Sequence, residues 1–230
     1  MQVIDSLQLA AAWFRLLTPT EQGRVEKDLT VQQAPAGTII ERKGQMAQAW
    51  IGVLAGLVKV SVGNAEGRMA SLTGVPAGGW FGEGSLLKRE ARKYDVVALR
   101  DSVIARLPAA TFESLLDSSI PFNRYLLQQL NERVAQFIGK AENDRLLDAD
   151  ARVARCLAEL FNPILYPGMA VRLSITQEEV GYLARVSRQR ANRALRTLQQ
   201  AGLLKVEYRG VRVLDLDGLK GYEAVKRTPP

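Results

Sequence analysis

Five side chains able to read a nucleic acid fall within nine residues of one another: Arg188, Gln189, Asn192, Arg193 and Arg196. Steps of four link 188, 192 and 196, and 189 with 193, so a helix would carry all five on one face. Arginine's fork pairs with guanine O6 and N7, asparagine and glutamine amides pair with adenine, and phosphates take the remaining donors. Enzymatic chemistry is poorly served by comparison. The chain has no histidine and one cysteine, Cys156. That removes Cys–His dyads, Ser–His–Asp triads and histidine zinc sites. No G-x-S-x-G, P-loop or G-x-G-x-x-G occurs. A Ser–Lys or paired-carboxylate hydrolase stays formally open, without a local motif to suggest one.

The elements that must position those five residues are legible on either side of them. Thr176 with Glu179 forms a capping box and starts a helix. Val180, Leu183 and Ala184 face inward, and Gly181 lets a second helix approach closely. Ser187 caps that second helix, whose buried face is Ala191, Ala194, Leu195 and Leu198. Two helices joined by so tight a turn form a helix-turn-helix, and the first turn of the second helix, with Arg188 and Gln189, reaches base edges. Ala201–Val213 then reads as helix stop, strand, turn and strand, which is a wing with Arg209 at its tip, placed to meet phosphate. Thr176, at the first cap, joins this DNA-facing set. A solvated, arginine-rich surface helix is the bland alternative. Capping, spacing and wing agree on the DNA reading.

Charge supports it. The chain carries a net +7, and all of the excess lies in Ala151–Pro230, with 14 basic and 7 acidic residues against 17 and 17 in Met1–Asp150. A neutral module joined to one that faces a polyanion is the expected arrangement. The neutral part opens with a capping box at Thr18-Pro19-Thr20-Glu21. Short β-branched runs follow at Thr38–Ile40, Trp50–Leu54, Leu57–Val62, Ala70–Leu72, Asp95–Leu99 and Val103–Leu107, with a hairpin-like Gly63–Gly67 between two of them. Strands punctuated by glycine read as a barrel or sandwich. After Pro121, Phe122, Leu126, Leu130, Val134, Phe137 and Ala141 predict a helix of about 25 residues, with Leu127 and Ile138 widening an apolar seam shared between the barrel and a second copy of the chain. Asp148 caps the next helix, where Val153, Cys156, Leu157 and Leu160 face inward, and the domain boundary is placed there. No signal peptide or membrane-spanning run is read, so the cytoplasm is the expected compartment.

These residues resemble the Crp/Fnr family of bacterial transcription regulators over nearly the whole chain. Gly56-Leu57-Val58-Lys59-Val60 resembles the family's barrel glycine turn, and Phe81-Gly82-Glu83 the start of its phosphate-binding cassette. Asp148 with Arg152-Val153-Ala154 is similar to the hinge and following helix. Ser187-Arg188-Gln189 through Arg193 is similar to the base-reading segment. The resemblance implies an α+β chain: a jelly-roll-like β-roll sensor with a long dimerisation helix (about 119–147) in residues 1–147, and a winged helix-turn-helix domain in 148–230. It implies a homodimer on an inverted repeat of double-stranded DNA, with RNA polymerase as a further partner; the absent histidine, the lone Cys156 and the lack of a spanning run lead to the expectation of no bound cofactor, metal or membrane. Base contacts carry over onto Arg188, Gln189 and Arg193, with Asn192 where some members use a small polar residue.

Three positions depart from the family pattern. Arg185 stands where the turn usually holds glycine. Lys93-Tyr94 align with the Arg-Ser or Arg-Thr that ends the cassette of cyclic-nucleotide binders. Phe137 and Ile138 align with the hydroxyl residues that meet adenine. The expected effector site therefore consists of Gly82, Glu83, Lys93 and Tyr94, for a small molecule other than cyclic AMP. Lys88, Arg89 and Arg92 nearby read as a solvated basic loop. The rival reading is a small-molecule-binding regulatory subunit that acts through protein contacts. A lone Cys156 on an apolar helix face reads as packing, not as an iron or haem ligand. Protein purified without oxygen is expected to show no visible absorption band; a band between 400 and 450 nm, roughly where haem and iron–sulfur centres absorb, would refute this.

Overall fold

The β-branched runs pair into two four-stranded antiparallel sheets. In the computed structural model, which describes residues 11–63, 69–167 and 171–223, the strands are β1 (Thr30–Ala34), β2 (Ile39–Glu41), β3 (Ala49–Ala55), β4 (Leu57–Gly63), β5 (Met69–Pro76), β6 (Trp80–Phe81), β7 (Asp95–Ala98) and β8 (Ser102–Pro108). One sheet runs β1-β8-β3-β6 and the other β2-β7-β4-β5. The turn expected within Gly63–Gly67 lies, from Asn64 on, outside the described residues. Two strands have no clear sequence signal. β1 exposes Thr30, Gln32 and Gln33, as an edge strand does. β6 is two residues long. Between β3 and β4, Gly56 sits at φ 97, and a Cβ there would fall 2.2 Å from the Ser102 hydroxyl oxygen, so the turn admits only glycine.

Helices α1 (Pro19–Asp28), α2 (Glu83–Leu87), α3 (Ala109–Ser118) and α4 (Ile120–Leu146) complete this half. The capping box forms as read: the Thr18 hydroxyl accepts from the Glu21 amide at 3.4 Å, and the Glu21 carboxylate accepts from the Thr18 amide at 2.7 Å. The core is aromatic. Trp50 lies 4.7 Å from Trp80 and 5.2 Å from Trp13, ring centre to ring centre. Phe122, from the first turn of α4, lies 5.6–5.7 Å from Trp13, Trp50 and Phe112. Edge-to-face and tilted pairs of this kind add about 0.5–1.5 kcal/mol each to the area they bury.

The long helix has 27 residues, close to its expected length. Its seam divides. Phe122 and Leu126 are buried, whereas Ile120, Leu127, Val134 and Ile138 are 67%, 67%, 57% and 64% exposed.

The rest of the chain forms α5 (Ala149–Glu159), β9 (Arg172–Ser174), α6 (Gln177–Ala184), α7 (Arg188–Gln200), β10 (Leu204–Glu207), β11 (Gly210–Val213) and α8 (Leu216–Gly221), with a three-stranded sheet β10-β11-β9. Asp148 caps α5 as read, accepting from the amides of Asp150 and Ala151 at 3.0 and 2.9 Å. Cys156 is buried, and that burial pushes its thiol up to about 12. Two compact units result: Met1–Glu132 with Pro163–Gly168, and Arg133–Asn162 with Met169–Pro230. The segment after α5 thus belongs to the first unit. Tyr166 is buried there and its hydroxyl donates to the Gly74 carbonyl at 3.1 Å, while the Gln129 amide donates to the Ile164 carbonyl. No described helix is long and apolar enough to cross a membrane.

Two glycines separate close packing from backbone freedom. A Cβ at Gly52 would meet the Trp80 ring at 2.6 Å, while one at Gly23, exposed within α1, would meet nothing within 4 Å. Gly52→Ala is expected to destabilise the protein by about 1–3 kcal/mol through overpacking, and Gly23→Ala to stabilise it by about 0.5–1 kcal/mol. Urea titration followed by tryptophan fluorescence reads both; equal effects would refute the packing account.

Candidate nucleic-acid interface

The second unit builds its functional face from two caps and a crossing. Thr176 accepts from the Glu179 amide at 3.2 Å, and the Glu179 carboxylate answers to the Thr176 amide at 2.5 Å. Thr176 is thereby engaged as the helix cap. α6 ends at Arg185, which takes the left-handed conformation at φ 54, ψ 45. For a non-glycine residue that costs about 1–2 kcal/mol. The reversal lets the Val186 amide return to the Gly181 carbonyl at 2.9 Å. A Cβ on Gly181 would stand 2.9 Å from the Val186 carbonyl oxygen, so the tight turn requires glycine at that point. Ser187 then caps α7, accepting from the Arg190 amide at 3.2 Å.

α7 buries Ala191, Ala194, Leu195 and Leu198. Its opposite face presents Arg188, Gln189, Arg193 and Arg196 exposed and Asn192 half-exposed, so the five residues read from the sequence lie on one face. Among the described residues Arg188, Arg193, Arg196 and Arg209 form no ion pair. Arg190 differs. It turns away from that face and pairs with Asp150 at 3.4 Å, tying α7 to the start of α5. Its sequence position gave no sign of this, because the partner lies on another helix.

The wing is β10 and β11 joined through Tyr208 and Arg209. Arg209 sits at φ 51, and Tyr208 is 87% exposed at the tip. Beside the wing's turn Glu207 accepts from Arg212 at 2.8 Å and Arg172 at 2.7 Å. Those bonds, Arg212's first, hold its carboxyl below the usual range. Arg172 and Arg212 thus share one carboxylate, whereas the arginines of α7's exposed face and Arg209 form no ion pair among the described residues.

A capped helix-turn-helix with a two-stranded wing, in a chain whose other unit is a β-roll, is the architecture of a winged-helix transcription regulator. Residues 31–119 match the cyclic nucleotide-binding domain family and 151–222 the Crp-like helix-turn-helix domain family. The chain belongs to the Crp/Fnr family of transcription regulators. It is 23% identical over 219 residues to the CRP-like cAMP-activated global transcriptional regulator of Mycobacterium tuberculosis, which covers 94% of this chain and 98% of that one. It is 29% identical over 170 residues to the transcriptional regulator SdrP of Thermus thermophilus, covering 73% and 80%. The structure of FixK2 from Bradyrhizobium japonicum shares the fold at TM-score 0.70 and 16% identity, over 86% of this chain and 98% of that one.

The effector-site residues read from the sequence are placed as follows in the β-roll. Gly82 is at φ 94, and its neighbour is Arg92: a Cβ there would fall 2.4 Å from that guanidinium. Glu83 is 4% exposed and its carboxylate accepts from the Trp50 indole at 3.3 Å. Lys93 points outward to Glu90 at 3.1 Å, and Tyr94 is half-buried. Lys88 and Arg89 are exposed, as read, and pair with Glu90 and Glu113. Arg92 is the correction. It is not in a solvated loop but fully buried, with its guanidinium already engaged by Glu41 and by the Gly82 and Ala49 carbonyls.

Gly181→Val is expected to cost the second unit about 1–3 kcal/mol by forcing the turn apart. Thermal unfolding followed by circular dichroism reads the loss, and an unchanged midpoint would show that the crossing does not depend on glycine.

Proposed function

We propose that the chain is a homodimeric, sequence-specific regulator that reads an inverted repeat of double-stranded DNA through α7. The carrying observation is the single α7 face that holds Arg188, Gln189, Asn192, Arg193 and Arg196 outward, without ion pairs among the described residues, in a unit whose wing tip carries Arg209. Arg188 and Gln189 occupy the first turn, where base edges are reached, and Arg209 is suited to phosphate. Residues 1–147 act as the sensing and dimerising part and 148–230 as the DNA-binding part. The dimer reading rests on the exposed stripe Ile120, Leu127 and Val134, spaced by seven, with Ile138 beside it; a coiled pair of α4 helices would bury it. RNA polymerase is the natural protein partner for such a regulator, and the cytoplasm its place of work.

Several relatives are described as cAMP-activated. For this chain we propose that the signal is a small molecule other than cyclic AMP, or none. Glu83 accepts from the Trp50 indole, and the buried Arg92 is engaged by Glu41 and two backbone carbonyls.

Fluorescence anisotropy with inverted-repeat fragments tests this reading. Two half-sites about one helical turn, ~34 Å, apart are expected. Arg188→Ala and Arg193→Ala should each cost about 1–3 kcal/mol on the specific site and relax base preference there. Wild-type affinity in both variants would overturn the assignment of α7.

A further inference from the structure

Arg92 is among the largest fully buried side chains of the protein, at 1% exposure. Its Nε donates to one Glu41 oxygen at 2.8 Å, and its two terminal nitrogens donate to the Gly82 and Ala49 carbonyls at 2.7 and 2.5 Å. The other Glu41 oxygen accepts from Arg106 at 2.6 Å, and Arg106 also donates to the Ile40 carbonyl at 2.7 Å. One carboxylate thus lies between two guanidinia, each of them braced by backbone carbonyls.

Each part of this cluster is held in place. The Arg92 backbone pairs with the turn before β3, its amide donating to the Gln45 carbonyl at 2.8 Å and its carbonyl accepting from the Gly44 amide at 2.9 Å. The register of β2 against β7 shifts between Ile39 and Glu41, so Ile40 and Glu41 are both buried although they are consecutive. A bulge re-aims a side chain in this way, and here it turns a carboxylate inward. Gly82, without a Cβ, leaves room for the guanidinium.

Among the described residues the charges do not balance: two buried or part-buried cations share one anion. A guanidinium taken out of water without a partner is strongly disfavoured, and a forked donor is matched by a two-oxygen acceptor. The environment around Arg92 and Arg106 is therefore an oxyanion site, and the oxyanion in it belongs to the chain. We propose that Glu41 is a tethered anion occupying a built-in oxyanion site of the β-roll, and that the same site takes a small free oxyanion, a carboxylate or phosphate, once the Glu41 carboxylate is removed. A phosphate-bearing effector would have to evict Glu41 to reach Arg92. The inference concerns the β-roll alone and does not depend on whether the chain binds DNA.

Thermal unfolding of the full chain in formate, acetate or inorganic phosphate, against chloride at equal ionic strength, tests it. Wild type should show no anion-specific shift. Glu41→Ala should lose on the order of 10 °C in midpoint and regain much of it, saturably, with formate or phosphate. Glu41→Ala/Arg92→Met should show no such recovery. If Glu41→Ala is recovered unfolded, Glu41→Gln, which keeps the volume and one acceptor oxygen, carries the same comparison. The proposal is overturned if wild type itself responds saturably to these anions, if Glu41→Ala keeps the wild-type midpoint, or if the folded variant does not distinguish them from chloride.

Discussion

The Phe122 ring is the contact on which the first unit depends. It stands in the first turn of the long helix and packs among Trp13, Trp50 and Phe112, all fully buried. That ring fixes where α4 leaves the roll. Leu126, one turn on, continues the buried edge. Every residue further along the helix inherits its rotation from those two, because side chains on a helix keep a fixed angular spacing. Ile120 and Leu127, off that edge, are exposed. An apolar stripe spaced by seven is what a second helix would cover.

In the second unit the corresponding constraint is backbone proximity. Gly181 and the Val186 carbonyl are too close for any side chain between them, and Arg185 accepts a left-handed backbone to make the turn. Packing of Ala191, Ala194 and Leu195 against the neighbouring helices holds that strained residue in place. The result is a helix whose polar face carries Arg188, Arg193 and Arg196 without ion pairs among the described residues. Where a cation on that helix has a partner, as Arg190 has Asp150, it serves the scaffold.

The same division between spent and unspent charge organises the roll. Arg92 and Arg106 are spent on Glu41 and on carbonyls, whereas Lys88, Arg89 and Lys93 lie outside and pair at the surface. Exposed pairs contribute little, about 0–1 kcal/mol. The buried cluster differs because removing Glu41 leaves two guanidinia with no carboxylate to answer them.

How much of this could be read from the chain follows the range of the forces involved. Capping boxes at Thr18 and Thr176, the Asp148 cap and the five residues on one face of α7 are set by groups within a few positions of one another, and the sequence alone determined them. The length of α4 was legible for the same reason. Which edge of α4 is buried was not, because burial depends on a surface that other segments build. Lys88, Arg89 and Arg92 look alike as neighbours in a basic run. Only the fold separates Arg92 from the others, through a carboxylate 51 positions away that a bulge turns inward. Tyr166 likewise reads as a loop residue until the Gly74 carbonyl, 92 positions earlier, is brought beside it. Periodicity and capping act along the chain, whereas ion pairing in a core and the burial of an aromatic ring require two distant segments to meet, and that meeting was decided by tertiary structure.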